Sequence, residues 1–404
     1  MHLSSRIKGV ADSITMQLNE KASHMAEEGL LVYNLSAGQL PIKPPQEFIE
    51  KMQQQLNFLK SYQYSPVAGI PELRKKILNH HLHERKITDD GQTDVLLSNG
   101  SKQCIYIALG AVLDPGDEVS LLAPYWVSFP QMIKFWGGVP VTVHSNVFDA
   151  YTPSLEDIAR LITPRTKAII VNSPNNPSGT HYPETWMRGF ADLMKEHSDI
   201  WLFSDEVYAD LCYFDPQPTY FYQFAPELQS RTIVFGAISK ALAATGLRLG
   251  WSIAPKNAIQ AMGRIQSQAT SGASALIQRA LLDFDFNQIE KFLAPVKAHL
   301  RKSANIVRHK LREAEMHNVW YQSHSAFYFM WDFSRTPVFE RFSKENPQGD
   351  FSKEMCQELL EKHGVALVPG ADFGQPNSAR LSLTMEEVPF QEALSRVLKF
   401  LLDR

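Results

Sequence analysis

The chain has little cysteine: its 404 residues include three, Cys104, Cys212 and Cys356. These cysteines are odd in number, lie far apart and lack Cys-x-x-Cys spacing. That pattern argues against a disulfide framework and against a zinc site, and it is typical of proteins from a reducing compartment. We therefore expect neither disulfides nor a bound metal.

The chain also lacks an excess of one charge and a long apolar run. Its 40 lysines and arginines against 43 acidic residues give a net charge of −3, which gives no reason to expect nucleic-acid binding. No uninterrupted apolar stretch approaches the roughly 18 residues that span a bilayer. The N-terminal run MHLSSRIKGVADSIT contains no apolar segment of signal-peptide length. We expect a cytoplasmic protein that binds neither nucleic acid nor membranes.

Hydrophobic residues make up 44% of the chain, which is enough for a large core. In the middle of the sequence, short apolar runs bounded by Gly, Pro, Asn or Asp alternate with stretches of helical periodicity. Continuous apolar strands between helices indicate a sheet that is buried on both faces and mostly parallel. We therefore predict an α/β fold, with strands at residues 95–97, 119–123, 168–172, 201–204, 233–236 and 249–253.

Three segments are predicted along the chain. Residues 1–45 are expected to form an N-terminal arm, residues 46–288 a large domain around the central sheet flanked by helices, and residues 289–404 a smaller α+β domain on which the arm packs. The smaller domain begins with a helical stretch, residues 289–314, that contains no glycine. Its predicted strands are residues 326–330, 366–368 and 379–383.

Lys240 is the most informative residue of the chain. It lies in the run GAISKALAATGLRLGW (236–251), where small residues surround it and no acidic residue is near in sequence. A desolvated lysine amine reacts with carbonyl groups, and pyridoxal phosphate enzymes use such a lysine to bind the cofactor covalently. A solvated surface lysine before a helix is the alternative.

Two turns that follow predicted strands are candidate ligand sites. The run SNGSKQ (98–103) opens a helix predicted over residues 104–113, and free N–H groups at a helix N-terminus bind anions such as phosphate. The run NSPNNPSG (172–179) lies beyond a strand's carboxyl end, where open α/β sheets bind ligands. An Asn side chain there is able to donate to a phenolate oxygen. An ordinary helix start and a plain turn are the alternatives.

Three charged residues need partners. Asp205 ends an apolar run, and a carboxylate there is costly to bury unless it is paired, for example with a protonated pyridine nitrogen. Arg248 and Arg380 are candidates to hold phosphate or carboxylate groups through paired hydrogen bonds. Backbone donors for Asp205 and structural salt bridges for the two arginines remain open.

A histidine-rich segment does not predict a metal site. His80, His81, His83 and Glu84 lie on a polar helical stretch among several lysines and arginines. Such a mixture of charges indicates a solvated helix face.

Together these motifs resemble one family. Their order along the chain is an anion-binding turn, SPNNPSG, Asp205 with Tyr208 three residues later, Lys240 with Arg248 eight residues later, and a late arginine. Further matching runs are YSPVAGIPELR (64–74), LDPGDEV (113–119), APYWVSFP (123–130), IQSQATSG (265–272), SAFY (325–328) and VPGADFG (368–374). Along nearly its whole length, the sequence resembles the class I aminotransferases of pyridoxal phosphate fold type I, aspartate aminotransferase among them.

The resemblance implies how the cofactor ring is held. Lys240 is expected to bind pyridoxal 5'-phosphate as a Schiff base and to move the substrate's α-proton. Asp205 is expected to pair with the pyridine nitrogen, and Asn176 and Tyr208 to bond the ring's phenolic oxygen. Trp126 is expected to stack on the ring face.

The resemblance also implies how the charged groups are held. The backbone amides of Ser101 and Lys102, with Arg248, are expected to bind the cofactor phosphate. Arg380 is expected to bind the substrate's α-carboxylate, and Gly38 matches a glycine at the mouth of the substrate site.

Tyr64 resembles the residue that reaches the phosphate of the partner subunit, which implies a homodimer with shared active sites. Two departures from the family pattern stand out. Ala237 replaces the usual Ser or Gly three residues before the lysine, so no hydroxyl from that position reaches the phosphate, although Ser239 is nearby. Gln39-Leu40-Pro41 replaces a common Glu-Pro-Asp run, which is expected to change the entrance and the substrate range.

The favoured reaction is transamination between aspartate and 2-oxoglutarate. Lys102 takes the place of a lysine that reaches the distal carboxylate in aspartate and prephenate aminotransferases, and Ser13 and Thr15 resemble a Ser-x-Thr pair of the same enzymes. A basic residue and two hydroxyls around a carboxylate form a sensible site. Aromatic, methionine-like or broad amino donors remain open, as do a C–S lyase or synthase, a regulatory binding module and an inactive homologue on the same fold.

Overall fold

The N-terminal part of the chain lies against its C-terminal part. The structure, a computed structural model, describes residue 7 and residues 14–403, except residues 90, 317, 318 and 345. Its first elements are α1 (Ile14–Glu27) and β1 (Tyr33–Asn34). β1 pairs in parallel with residues 365–366, and Ala22 of α1 packs in one cluster with Leu360 and Ala366.

Helices cover both faces of a central sheet. In chain order they are α2 (Gln46–Gln55), α3 (Pro71–Arg85), α4 (Ser101–Val112), α5 (Ser128–Phe135), α6 (Leu155–Leu161), α7 (Glu184–Lys195), α8 (Phe221–Phe224), α9 (Ile238–Ala241), α10 (Lys256–Ala269) and α11 (Ala275–Asp283). None of the helices in the described part of the chain is long and apolar enough to cross a membrane.

The central sheet has seven strands. They are β2 (Thr93–Ser98), β3 (Glu118–Leu122), β4 (Val139–Val143), β5 (Thr166–Asn172), β6 (Trp201–Asp205), β7 (Thr232–Ala237) and β8 (Gly250–Pro255). Their spatial order is β2-β8-β7-β6-β5-β3-β4, and β8 runs antiparallel to both neighbours while the other pairs are parallel. The predicted, mostly parallel sheet is confirmed. Strand β4 was not predicted, because Pro140 weakens the strand signal of this edge strand.

The side chains of β5 alternate between two hydrophobic clusters, one on each face of the sheet. On β5, Ile169 and Val171 pack in one cluster with residues of α7, whereas Ala168 and Ile170 pack in another with residues of α4 and α10. Successive strand side chains point to opposite faces, so a strand that is apolar at every position buries both.

The C-terminal part has its own small sheet and core. Its elements are α12 (Gln288–Glu313), β9 (Tyr328–Asp332), α13 (Pro337–Ser343), α14 (Ser352–His363), β10 (Val365–Ala366), β11 (Val368–Pro369), β12 (Ser378–Ser382) and α15 (Glu387–Leu401). β12 lies between β11 and β9, antiparallel to both.

Two strand predictions for this part were wrong in detail. The strand predicted from residue 326 begins at Tyr328, because Ala326 has a φ of 53° and turns the chain. The strand predicted at 366–368 is two short strands, β10 paired with β1 and β11 paired with β12.

Polar residues gather where the parallel strands end. β5 ends at Asn172, β6 at Asp205 and β7 at Ala237, and α9 with Lys240 follows β7 directly. The carboxyl ends of parallel strands meet at one edge of a sheet, so side chains that are distant in sequence come together there.

Candidate active site

A cleft of about 1060 Å³ opens at this edge. Its walls come from the central sheet, from the segment after β1 and from the C-terminal part of the chain. Ten of the residues predicted for the site line it: Gly38, Ser101, Lys102, Trp126, Asn176, Asp205, Tyr208, Lys240, Arg248 and Arg380.

Lys240 presents its amine to the cleft. Its Nζ donates a hydrogen bond to the Gly38 carbonyl oxygen at 2.6 Å. Burial, together with the positive charges of Arg380 and Arg248, lowers the pKa of Lys240 to about 7, against a partial opposing effect of Asp205. A large share of Lys240 amines is therefore unprotonated, and nucleophilic, near neutral pH.

Asp205 lies at the floor of the cleft. It is buried, and its Oδ1 accepts a hydrogen bond from the Val207 N–H at 3.4 Å. Burial raises the pKa of Asp205 to about 7. A carboxylate in such a place is stabilised by a cationic or N–H donor brought by a ligand.

Hydroxyl and amide groups stand beside these two residues. The Tyr208 hydroxyl lies 3.1 Å from the Tyr328 hydroxyl. Asn176 is fixed through its backbone N–H, which donates to Asn172 Oδ1 at 3.0 Å, and its own Oδ1 accepts from Arg380. Tyr208 and Asn176 therefore present a hydroxyl and an amide group to an oxygen atom of a ligand in the cleft.

Lys102 and Trp126 lie together on one wall. The Lys102 amine is 4.9 Å from the centre of the Trp126 ring, and burial and Arg248 lower the pKa of Lys102. Trp126 in turn contacts Phe129 edge to face, with ring centres 5.4 Å apart.

An anion-binding turn forms at the N-terminus of α4. Gly100 precedes the helix with a φ of 86°, and Arg248 lies against it, donating from one guanidinium nitrogen to the Asn99 carbonyl at 3.3 Å and from another to the Thr245 carbonyl at 2.9 Å. The first N–H groups of the helix, those of Ser101 and Lys102, have no acceptor within the helix. Free N–H groups, the helix dipole and a guanidinium together suit a phosphate.

Arg380 marks the other end of the cleft. Its guanidinium donates to Asn176 Oδ1 at 3.0 Å and to the Ser36 carbonyl at 2.9 Å, and it lies 4.4 Å from the centre of the Tyr328 ring. Its Nε is buried without a hydrogen-bond partner in the described part of the chain. A buried donor without a partner fits a residue that binds an anionic ligand.

The remaining predicted residues are Tyr64, Ser13 and Thr15. Tyr64 is 94% exposed on the surface, a placement that needs a second subunit for any role at a phosphate. Ser13 lies outside the described residues, and so does the side chain of Thr15. Their roles stay predictions.

No role at the site was predicted for Tyr328, Asn172 and Ser36. The structure places all three on the cleft wall, where they contact Tyr208, Asn176 and Arg380. The signal for Tyr328 was its place in the SAFY run, and Asn172 opens the NSPNNPSG run. No sequence signal marked Ser36, because it acts through its backbone carbonyl.

The interpretation of the histidine-rich segment as a solvated face was wrong for part of it. His81 packs against Tyr222 with ring centres 5.9 Å apart, and burial lowers its pKa to about 3. Arg85, at the end of the same helix, forms an ion pair with buried Glu206. Within the described residues, no group of three or more potential ligands is placed to hold a metal ion.

The residues at the cleft fit pyridoxal phosphate. The Lys240 amine of lowered pKa fits the aldehyde, and the buried Asp205 carboxylate fits the pyridine nitrogen. The anion-binding turn with Arg248 fits the phosphate, and Arg380, with its unpaired nitrogen, fits the substrate carboxylate. A side chain at position 100 would crowd the turn, since a Cβ there would lie 2.8 Å from an Arg248 nitrogen.

Comparisons with known proteins agree with this chemistry. The family model for aminotransferase class I and II matches residues 32–397. A probable aspartate/prephenate aminotransferase of Thermus aquaticus is 35% identical over 400 residues, covering 98% of each chain. The aspartate/prephenate aminotransferase of Thermus thermophilus is 34% identical, covering 99% of this chain and 98% of the relative. The solved structure of Thermus thermophilus aspartate aminotransferase with maleate is similar, with a TM-score of 0.88 at 32% identity, covering 99% of this chain and 100% of that one.

Proposed function

This chain belongs to the class I and II aminotransferases, and on that premise we propose that it transfers the amino group of aspartate to 2-oxoglutarate with pyridoxal phosphate bound at Lys240. The observation that carries the proposal is that Lys240, Asp205 and Arg380 line one cleft. The names of the relatives support aspartate as the amino donor.

The cofactor would supply a carbonyl carbon for bonding to amines and a conjugated ring that withdraws electrons from the substrate's α-carbon. Lys240 Nζ, which the substrate amine would displace from that carbon, is then free to take the α-proton and later to return a proton, acting as general base and general acid. Asp205 holds a proton on the pyridine nitrogen, and the hydroxyl of Tyr208 and the side-chain amide of Asn176 donate to the phenolic oxygen. Trp126 covers the ring face and keeps water from it.

The two ends of the cleft orient the ligands. The Ser101 and Lys102 N–H groups, with Arg248, bind the phosphate, and Arg380 binds the α-carboxylate. With both ends of the ligand fixed, the α-proton would lie within reach of Lys240, and this orientation would accelerate the proton transfer.

Lys102 supports an acidic substrate. Its amine lines the cleft beside Trp126, and a charge-assisted hydrogen bond to a distal carboxylate is worth about 1.5–3 kcal/mol. In this proposal Ser13 and Thr15 assist Lys102, as the resemblance implies.

A half-reaction screen tests the proposal. The protein loaded with cofactor is mixed singly with aspartate, glutamate, alanine, phenylalanine, methionine and tyrosine, and conversion to the aminated cofactor is timed by absorbance. Aspartate and glutamate should react fastest, and Lys102→Ala should slow these two by about 10–100-fold more than alanine or phenylalanine. Lys134→Ala, at the exposed rim of the same cleft, is the matched control. Equal losses for all donors would show that Lys102 does not bind the side-chain carboxylate.

Prephenate is a second candidate amino acceptor. The two Thermus relatives are named as aspartate/prephenate aminotransferases, and together they cover nearly the whole chain. The rate at which prephenate restores the starting absorbance of the aminated enzyme, compared with 2-oxoglutarate, decides between the two acceptors.

We also propose that the enzyme is a homodimer. Large apolar side chains are exposed on the segment around residues 56–64: Leu56, Phe58, Leu59, Tyr62 and Tyr64. A contiguous patch of this kind marks an interaction surface, and Tyr64 would reach the partner's phosphate from it.

A further inference from the structure

Glu206 follows Asp205 but faces away from the cleft. Asp205 lines the cleft, whereas Glu206 lines a separate cavity of about 80 Å³ on the other side of the strand end. Glu206 is buried, so its charge needs partners within the protein.

Three donors hold the Glu206 carboxylate. Ser204 and Tyr222 donate their hydroxyls to Oε1 at 2.8 and 2.6 Å, and Arg85 donates its Nε to Oε2 at 2.9 Å. The donors come from β6, from α8 and from the last residue of α3. The carboxylate is therefore fixed from three directions.

Arg85 is itself fixed. Its guanidinium lies 4.4 Å from the centre of the Tyr220 ring, and its backbone carbonyl accepts from the Gln223 side chain at 2.7 Å. The end of α3 is thereby tied to the segment 220–223, and both are tied to Glu206.

Glu206 is the first residue of the turn that follows β6, and its backbone is hydrogen-bonded on both sides. The Glu206 N–H donates to the Phe235 carbonyl at 3.0 Å, and its own carbonyl accepts from the Ala209 N–H at 2.9 Å. Asp205 precedes Glu206, and Tyr208 follows it by two residues. A rotation of this turn would therefore move the Asp205 carboxylate and the Tyr208 hydroxyl relative to Lys240.

We propose that Glu206, held by Arg85, is a positioning residue that fixes the Asp205 carboxylate and the Tyr208 hydroxyl for the reaction. The inference rests on the proposed function, since it assumes that those two groups contact the cofactor. A buried ion pair is a poor source of stability compared with apolar residues of the same volume, but its hydrogen bonds are directional. Directional hydrogen bonding is what a turn carrying two cofactor-binding groups requires.

The main test is the double variant Arg85→Met with Glu206→Gln. Removing one charge would leave the other buried and unpaired, whereas removing both avoids that penalty for the pair. Asp210, whose negative charge Arg85 also offsets, keeps the favourable charges of His80 and Lys297. We expect the melting temperature of the cofactor-free protein to stay within about 4 °C of wild type. We expect the dissociation constant for pyridoxal phosphate, measured by fluorescence quenching, to rise about tenfold, and kcat to fall about tenfold with KM for aspartate changed by less than about threefold.

A control pair of the same residue types, with a more exposed arginine, lies at the amino ends of the strands. Glu118, at the start of β3, is also buried and accepts from Thr163 Oγ1 at 2.6 Å and Arg165 Nε at 2.9 Å. Arg165→Met with Glu118→Gln should leave cofactor affinity and kcat within about twofold of wild type.

The inference is overturned if the Arg85/Glu206 variant keeps wild-type affinity and kcat, or if the control pair loses as much. Either result would mean that the Arg85–Glu206 pair has only a structural role, while transamination by the wild-type protein would still support the proposed function. A wild-type protein that fails to bind the cofactor would instead overturn the proposed function.

Discussion

Lys240 lies in a buried site that two arginines also line. Burial lowers its pKa from 10.5 to about 7, and the charges of Arg380 and Arg248 add to this effect against a partial opposing effect of Asp205. The neutral amine is the form that attacks a carbonyl. The two arginines proposed to bind the ends of the ligands thus also favour the neutral form of the proposed nucleophile.

This predicts the pH dependence of cofactor capture by the cofactor-free protein. The unprotonated fraction of an amine rises with pH up to its pKa and then levels off. With a pKa of about 7, the capture rate should rise about tenfold between pH 6 and 8 and flatten above pH 8, whereas an amine with pKa 10.5 would gain about 100-fold and continue to rise. Stopped-flow absorbance measures the rate, with Nα-acetyllysine as the reference that corrects for the cofactor's own titration.

A rate that climbs steadily through pH 9 would contradict the lowered pKa. The Lys240→Ala variant should show no capture and no transamination, because it lacks both the nucleophile and the proton carrier. Near-normal turnover in that variant would contradict the assignment of Lys240.

At the scale of elements, the anion-binding turn at the N-terminus of α4 depends on a glycine at position 100. Gly100 lies between β2 and α4 with a φ of 86°, a conformation that residues with a Cβ rarely adopt. Its missing side chain leaves the space where the Arg248 guanidinium approaches the helix N-terminus.

Gly100→Ala should therefore weaken cofactor binding in addition to destabilising the fold. Both Gly100 and Gly116 have a positive φ, so alanine at either position should cost about 1–3 kcal/mol of the free energy of unfolding. A Cβ at Gly116 meets nothing within 4 Å, whereas a Cβ at Gly100 meets Arg248. Cofactor titration of both variants should show at least a tenfold loss of affinity for Gly100→Ala and none for Gly116→Ala. Equal affinities would mean that the turn tolerates a side chain.

Strands were predicted correctly where the run was continuously apolar. The apolar runs of β5, β6 and β7 identified buried parallel strands, and the residues at or just after their carboxyl ends include Asn176, Asp205 and Lys240. The sequence could not show contacts between residues far apart in the chain, such as the Tyr208 and Tyr328 hydroxyls 120 positions apart. It also misplaced Arg85, since a charged helical stretch indicates solvent unless its buried partner is known.

At the scale of the whole molecule, the cleft combines three stretches of chain. Ser36 and Gly38 come from the segment after β1, Asp205 and Lys240 from the central sheet, and Arg380 from β12. The division of the chain at residues 45 and 288 remains a prediction, but the site depends on all three predicted segments.

The dimer proposal predicts the effect of charge on the exposed apolar segment. Leu59 is 71% exposed, and Leu59→Lys should shift the protein towards monomer and lower its cofactor affinity, because a lysine in an interface core is costly to desolvate. Val388, 76% exposed in α15, provides the control, and Val388→Lys should stay dimeric. Sedimentation at several concentrations measures the assembly. A wild-type protein that stays monomeric at all concentrations would contradict the proposal.

The segment after β1 accepts hydrogen bonds from two basic side chains of the cleft. The Gly38 carbonyl accepts from Lys240, and the Ser36 carbonyl accepts from Arg380. A chain without residues 1–38 would lose both acceptors. The arm therefore shapes the polar environment of Lys240 and Arg380 through backbone groups alone, so these two contacts require no particular side chain at positions 36 and 38.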